Sequence, residues 1–361
     1  MRIALIANVP APYRVPTFNR LAGMEGIEFR VLFCAERYPG AKWDYGKIEC
    51  DHVFMKENFF RKPGDDSEII HNNPEVFGLL KKYEPDVVIG QGFNPTMLYA
   101  FFYSVLHGKK HVSMSDGTIH SERELSLLHK AVRRLVFRYS SAFIGASLQT
   151  EKLFRSYSVD KAKISLSPLC VENDRFLKCH GTEKKFDLLY CGRFVSRKNP
   201  LFVVQVLREL RDSHGLEPSI LFVGSGPLEE ATRKLLVSLR LERFRFHGFA
   251  SQSELPGLYA ASRIFLFPTS MDPWGVVVNE ACASGMPVVA SPHAGTSNEL
   301  VIDGRNGYVC ELSVELWAER IAGLLRDESL YGNFRNGSIR QVAPYTFDAA
   351  ADGIMNAVRV A

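Results

Sequence analysis

The 361-residue chain has only seven cysteines, with no Cys-x-x-Cys pair and no zinc-type His/Cys spacing. Cys34, Cys50, Cys170, Cys179, Cys191, Cys282 and Cys310 are scattered through apolar segments, which predicts reduced core thiols and a cytoplasmic protein. No G-x-x-x-x-G-K occurs, which argues against a P-loop ATPase or kinase. No convincing D-x-D occurs either, since Asp65-Asp66 sits in a polar stretch, and no metal site is predicted. Apolar runs are short: the longest, residues 98–106, falls well below the ~18 that suggest a membrane span and reads as a buried helix. The opening M-R-I-A-L-I-A meets Pro10 and Pro12 too soon for a signal peptide and reads as a first strand. Charge of one sign is also scarce, with 44 Lys/Arg against 40 Asp/Glu. Residues 1–168 hold 23 basic and 18 acidic residues, an excess that hints at an anionic partner and is too small to argue for nucleic acid.

What is present fits a soluble globular chain, 46% apolar and 23% charged, long enough for two domains. Strand patterns at 3–7, 29–34, 87–90, 112–115 and 142–145 alternate with helix patterns at 74–83, 95–107, 125–139 and 150–156. Asn73-Pro74 and Asn94-Pro95 read as helix starts. Periodicity lapses over 169–185, read as a linker, and alternation restarts with strands at 188–191, 220–223, 245–246, 264–267 and 287–290. Ser251–Glu254 and Thr296–Glu299 have the spacing of capping boxes. The fold class is α/β: two Rossmann-like domains, 1–168 and 186–340, facing a central cleft, with a C-terminal helix in 341–361 crossing back to the first. The stretch 58–66 reads equally as a binding loop or a plain surface loop. The helix carrying Lys130, Arg133, Arg134 and Arg138 reads as docked on its sheet with a solvated basic face, the alternative being a surface for anionic lipid.

The organising stretch is 270–291, S-M-D-P-W-G-V-V-V-N-E-A-C-A-S-G-M-P-V-V-A-S. Asp272 precedes a helix and Glu280 lies within it, just over two turns on, a spacing that suits two parts of one extended ligand better than one metal ion. Gly275, Val276 and Val277 would turn free N–H groups toward an anion at the helix N-terminus. Three further loops follow strand ends. In the first, Gly192 allows close backbone approach while Arg193 and Lys198 suit a diphosphate. The second, V-G-S-G-P with Gly224 and Gly226, fails as a dinucleotide fingerprint because Glu229 stands at the third glycine position. In the third, Gly248 and Phe249 could border a nucleobase. The first turn of the chain, 8–16, carries three prolines, which removes the N–H groups a phosphate loop needs.

In order, G-R-F-V-S-R-K-N-P, F-V-G-S-G-P-L, H-G-F, D-P-W-G-V-V-V-N-E-A-C-A-S-G-M-P-V-V-A-S and N-E-L-V-I-D-G-R-N-G-Y-V resemble the signature blocks of retaining glycosyltransferases of family 4. These enzymes have the GT-B fold, and the match covers most of 186–310. The resemblance implies that Arg193 and Lys198 hold the donor diphosphate and stabilise it as leaving group, and that Glu280 accepts hydrogen bonds from the ribose. It implies that Asp272, where the family usually has Glu, lies beside the transferred sugar. Pro273, Trp274, Gly275, Val276 and Val277 would then line the donor site, with backbone N–H groups from the last four. The family often has a His after an N-terminal-domain strand; here Asp116 or His120 stands near that place. No cofactor or metal is implied. The expected co-substrate is a UDP-, GDP- or ADP-sugar, and the acceptor a glycan or lipid-linked glycan of polysaccharide or lipopolysaccharide assembly. The expected location is cytoplasmic, peripheral on the inner face of an anionic membrane. The alternatives are a nucleotide-sugar epimerase of the same fold and a non-catalytic nucleotide-sugar-binding or membrane-scaffold protein.

Overall fold

The computed structural model describes residues 1–38, 43–62, 65–123, 125–179 and 181–361. The chain forms two compact units, 1–170 with 347–361, and 171–346.

The first unit is built on strands β1 (Arg2–Ala7), β2 (Glu28–Phe33) and β3 (Asp51–Phe54). A hairpin of β4 (Phe59–Lys62) and β5 (Asp65–His71) follows, then β6 (Val87–Gln91), β7 (Lys110–Ser115), β8 (Ala142–Gly145) and β9 (Ile164–Leu166). Its helices are α1 (Val15–Ala22), α2 (Val76–Tyr83), α3 (Pro95–Leu106), α4 (Ile119–Arg123), α5 (Leu127–Tyr139) and α6 (Leu148–Ser156). Seven strands make one parallel sheet in the order β3-β2-β1-β6-β7-β8-β9. Strands covered on both faces read as continuous apolar runs, and β1 is buried at every position after Arg2. The expected loop at 58–66 is largely the antiparallel β4–β5 pair, with residues 63–64 outside the described set. Asn73 does not cap a helix: its amide donates to the carbonyls of Cys34 (3.1 Å) and Lys56 (2.7 Å), and α2 starts three residues later. Asn94 does cap, accepting from the Met97 N–H at 3.1 Å.

The second unit begins with α7 (Asn173–Leu177), inside the segment read as a linker. It continues with β10 (Phe186–Cys191), α8 (Pro200–His214), β11 (Ile220–Val223), α9 (Glu229–Ser238), β12 (Phe244–Gly248) and α10 (Leu255–Ala260). Then come β13 (Ser262–Phe267), α11 (Val276–Ala283), β14 (Val288–Ala290), β15 (Gly307–Val309), α12 (Val314–Arg326) and α13 (Glu328–Val342). The six strands are parallel in the order β12-β11-β10-β13-β14-β15. Thr296 opens no helix. Residues 296–301 form a turn, with Asn298 at φ 61° and the Leu300 and Val301 N–H groups both donating to the Thr296 carbonyl at 2.9 Å.

The last helix, α14 (Phe347–Val360), belongs to the first unit. Its Ala351, Ile354, Met355 and Val358 share a core with Phe18 and Leu21 of α1 and with β1, covering one face of the seven-stranded sheet. Helices α2 and α3 cover the other face through Val76, Leu80, Met97 and Tyr103.

Candidate donor site

In the second unit the chain order reverses between β10 and β13. Loops at the carboxyl ends of two such neighbours diverge, and the crevice between them is the usual ligand site of an open α/β sheet. The loops concerned are 192–199 and 268–275, the two that the sequence pattern singles out. They are bonded to each other. The Arg197 carbonyl accepts from the Ser270 N–H (2.8 Å) and the Thr269 hydroxyl (2.9 Å), and the Asn199 amide donates to the Pro268 carbonyl (2.8 Å). Tyr190, at the end of β10, donates its hydroxyl to the carbonyls of Arg193 (3.1 Å) and Lys198 (3.3 Å), which shapes the first loop from below.

Lys198 forms an ion pair with Asp272 across the two loops, both side chains largely withdrawn from solvent at 12% and 14% exposure. Its ammonium also lies 4.7 Å from the centroid of the Phe267 ring. Burial pushes the Lys198 pKa down while Asp272 pulls it back up. Arg193, by contrast, is exposed and its guanidinium makes no ion pair among the described residues. One cation is therefore pre-paired and one is open.

Asp272 is fully engaged. One carboxylate oxygen takes the Lys198 ammonium and the other accepts from the Trp274 N–H at 3.1 Å. This is an Asx turn, which the short Asp side chain makes readily. The Trp274 N–H is consequently not offered to a ligand, contrary to the sequence reading. Trp274 is instead an anchor: 1% exposed, it donates from Nε1 to Asn279 Oδ1 (2.8 Å), and its ring lies 5.6 Å from that of Tyr345 with the planes tilted by 33°. Pro273 faces the segment 293–296, which sequence reasoning missed. The Gly295 N–H donates to the Asp272 carbonyl (2.9 Å), the Asp272 N–H to His293 (3.2 Å) and the Thr296 N–H to Trp274 (3.2 Å). The signal available was the small-residue run A-G-T-S after β14, the one kind of sequence that lets two loops approach this closely.

Gly275 starts α11 at φ 96°, and a Cβ there would lie 2.6 Å from the Phe267 ring, so only glycine fits both the backbone and the space. The first N–H groups of α11, from Val276 and Val277, have no intrahelical partner and carry the positive end of the helix dipole. Glu280, one turn further, is 6% exposed and accepts the Tyr259 hydroxyl at 2.7 Å. Burial pushes its carboxyl up to about 7, with the Tyr259 bond opposing the rise.

The glycine pair of the β11 loop has a packing reason. A Cβ on Gly224 would come within 2.0 Å of the Gly192 carbonyl, and one on Gly226 within 2.7 Å of the Phe194 carbonyl. These glycines press the second loop onto the first. Gly192 itself is open, with nothing within 4 Å of a built Cβ. The Gly248 carbonyl accepts from the Gly224 N–H at 2.7 Å, and Phe249 beyond it is 46% exposed.

In the first unit, Asp116 follows β7 and is held by Arg14 through Nη2 at 2.8 Å. His120 lies exposed on α4. Arg14 lies in the proline-rich first turn, which the sequence reading takes as unsuited to cradle a phosphate. Helix α5 buries Val136 and Phe137 yet leaves Leu127, Leu128, Leu135 and Tyr139 between 43% and 82% exposed. A solvated basic face is thus only half the description. Arg133 pairs with Glu122, while Lys130, Arg134 and Arg138 line a groove of about 780 Å³ with Lys163. Among the described residues no helix is long and apolar enough to cross a membrane.

Residues 174–341 match the family described as glycosyl transferases group 1. Sulfoquinovosyl transferase SQD2 of Arabidopsis thaliana is 27% identical over 180 residues, 49% of this chain and 34% of that protein. D-inositol 3-phosphate glycosyltransferase 2 of Catenulispora acidiphila is 28% identical over 222 residues, 56% of this chain and 52% of its own length. The chain thus spans about a third to a half of these curated relatives. Among solved structures, Anabaena Alr3699/HepE in complex with UDP superposes over 100% of both chains with TM-score 0.78 at 16% identity. That full-length likeness is one of fold, the GT-B fold.

Proposed function

We propose, from the match of residues 174–341 to the family described as glycosyl transferases group 1, that this chain is a retaining glycosyltransferase working without a metal ion. The donor is a nucleotide-sugar, and the acceptor a glycan or lipid-linked glycan of polysaccharide or lipopolysaccharide assembly at the cytoplasmic face of a membrane. The observation that carries this reading is the crevice at the β10/β13 reversal. There the loop that carries Arg193 and Lys198 is bonded to the loop that leads into α11, and Glu280 follows within that helix. Cleaving a nucleotide-sugar leaves negative charge on the diphosphate. Fixed cations and a helix N-terminus stabilise that charge with no reorganisation at the moment of reaction. Arg193, without an ion pair among the described residues, meets the diphosphate as a two-donor fork, and Lys198 adds a point charge. Glu280 offers a carboxylate to a vicinal diol.

A thermal-shift screen against UDP-, GDP- and ADP-sugars identifies the donor, because a ligand of the folded state raises apparent stability. With that donor, Arg193→Ala is expected to lower transfer about 100-fold or more while the protein stays folded. Full activity in that variant refutes the assignment. Donor consumed with a change at the sugar and no acceptor points to an epimerase instead, and donor binding with no turnover across an acceptor panel to a non-catalytic binder. The membrane side of the proposal rests on α5, whose exposed face joins Leu128, Leu135 and Tyr139 to Lys130, Arg134 and Arg138. Flotation with anionic liposomes at low salt is its test.

A further inference from the structure

Glu280 is an acid set into a buried helix. Every residue of α11 from Val278 to Ala283 is buried, and Glu280 makes no ion pair among the described residues. Three elements of the second unit face it with charged or titratable groups: Tyr259 from α10, Cys191 from the end of β10, and Arg175 from α7. Arg175 acts only at a distance, because it is exposed and its Nη2 donates to the Gln252 carbonyl at 2.8 Å. A carboxylate withdrawn from water without a counter-charge is costly, so its one hydrogen-bond donor decides how it is held.

That donor is itself fixed. Tyr259 is 1% exposed, with the Phe176 ring edge-on at 5.8 Å and the Phe265 ring at 5.7 Å. A phenol has one proton to donate. Glu280 Oε2 takes it at 2.7 Å, while the Val277 carbonyl lies farther off at 3.4 Å. The Cys191 thiol is hydrogen-bonded to the same hydroxyl, which completes a chain from β10 through α10 to α11. Each bond in such a chain polarises the next. The other carboxylate oxygen of Glu280, Oε1, makes no hydrogen bond among the described residues. One oxygen is clamped and one is open.

We propose that Tyr259 is a positioning residue, its buried hydroxyl holding one oxygen of Glu280 so that the other receives a ribose hydroxyl of the donor. This rests on the glycosyltransferase reading above. A donor to a carboxylate also favours the ionised form, the form that accepts from a hydroxyl. Tyr259 therefore sets both the direction of Glu280 and the pH above which it is ready.

The test is calorimetric titration of the full chain, wild type and Tyr259→Phe, with the nucleoside diphosphate of the donor found in the thermal-shift screen, from about pH 5.5 to about pH 9. Losing the hydroxyl removes support from the ionised carboxylate, so the midpoint below which affinity weakens is expected to move up by about one pH unit. Affinity at neutral pH then falls at least about fivefold. The diphosphate's own titration is common to both proteins and cancels in the comparison. The ribose is separated from the broken bond by the diphosphate, so kcat at saturating donor is expected to stay within about threefold. A merely structural role would lower affinity by one factor at every pH, and an unmoved midpoint overturns the proposal. If Tyr259→Phe does not fold, the wild-type protein carries the test. Ionisation of Glu280 changes what the Tyr259 proton meets, so a tyrosine ultraviolet difference band is expected to titrate at about 7 and to be missing from Glu280→Gln. No such band overturns the proposal. A wild-type protein that binds none of the UDP-, GDP- or ADP-sugars overturns the glycosyltransferase reading and this proposal with it. Wild-type binding with an unmoved midpoint in Tyr259→Phe removes the proposal alone.

Discussion

Glu280 gives the sharpest prediction, because its burial ties stability and ligand binding to the same proton. Its carboxyl titrates at about 7 in the folded protein against an ordinary value of 4.5. The folded state therefore holds the proton more tightly than the unfolded chain, and stability falls as pH rises from 4.5 through 7. The gap of about 2.5 units, at about 1.4 kcal/mol each, sets the loss at no more than about 3.5 kcal/mol. Glu280→Gln keeps the shape and an acceptor for the Tyr259 hydroxyl but cannot ionise. Whatever constant penalty the buried amide brings, the variant's stability relative to wild type is expected to rise by about 3 kcal/mol between pH 4.5 and pH 8. Denaturant unfolding followed by tryptophan emission is the assay, since Trp274 and Trp317, two of the three tryptophans, are buried in the second unit with Glu280. The same proton governs the ligand. On the proposed function, ribose hydroxyls would donate to the ionised carboxylate, so wild-type affinity for the nucleoside diphosphate is expected to weaken below pH 7, by up to about tenfold per unit. The variant's affinity is lower throughout, and this limb of its pH profile is absent. Parallel stability curves for the two proteins from pH 4.5 to 8 would refute the argument, whatever the binding data show.

Three other outcomes follow from the packing. Asp272→Asn leaves the Lys198 ammonium largely buried without a counter-charge, at an expected cost of about 3 kcal/mol, and nucleoside diphosphate should stabilise this variant more than wild type by supplying the missing charge. Equal stabilisation of both proteins by the nucleotide, measured by melting temperature, counts against that account. Gly224→Ala forces a carbon within 2.0 Å of the Gly192 carbonyl, so the β10 loop must shift, and donor affinity should fall at least tenfold even though Gly224 is walled off by that contact; calorimetry reads the change. Replacing Leu128 and Leu135 by Ser should abolish liposome flotation without lowering the melting temperature, since both side chains are exposed.

The alternation of strands and helices was legible because parallel strands buried on both faces leave unbroken apolar runs, and nearly every such run became a sheet strand. What the runs could not show were elements with weak apolar signals. Strand β3 is half-exposed throughout, β9 and β15 have three residues each, and α1 carries Pro16 at its start, where a proline also reads as a turn. The two capping signals that misled, Asn73 and Thr296, fail for different reasons. Asn73 gives its side-chain amide to tertiary partners, an option local spacing does not reveal, whereas the Thr296 hydroxyl is buried with no hydrogen-bond partner among the described residues. Asn73 joins the ends of β2 and β5, and the carbonyl of Thr296 closes a turn.

The site residues divide along the same line. The sequence reading takes Arg193 and Lys198 from a strand-end loop, and Glu280 from the helix that follows another, as residue types suited to a diphosphate and a diol. What each side chain contacts depends on loops far apart in sequence. Asp272 is the clearest case: an acid in a loop before a helix reads as an open ligand group, yet its two oxygens are spent on Lys198 and the Trp274 N–H. The shorter side chain is what allows this, because the turn it closes needs the carboxylate two bonds from the backbone. A glutamate there would reach past the turn toward the crevice and leave the Trp274 N–H unmet. The shorter side chain thus fixes the loop and balances the Lys198 charge through contacts within the protein, while the Arg193 guanidinium makes no ion pair among the described residues.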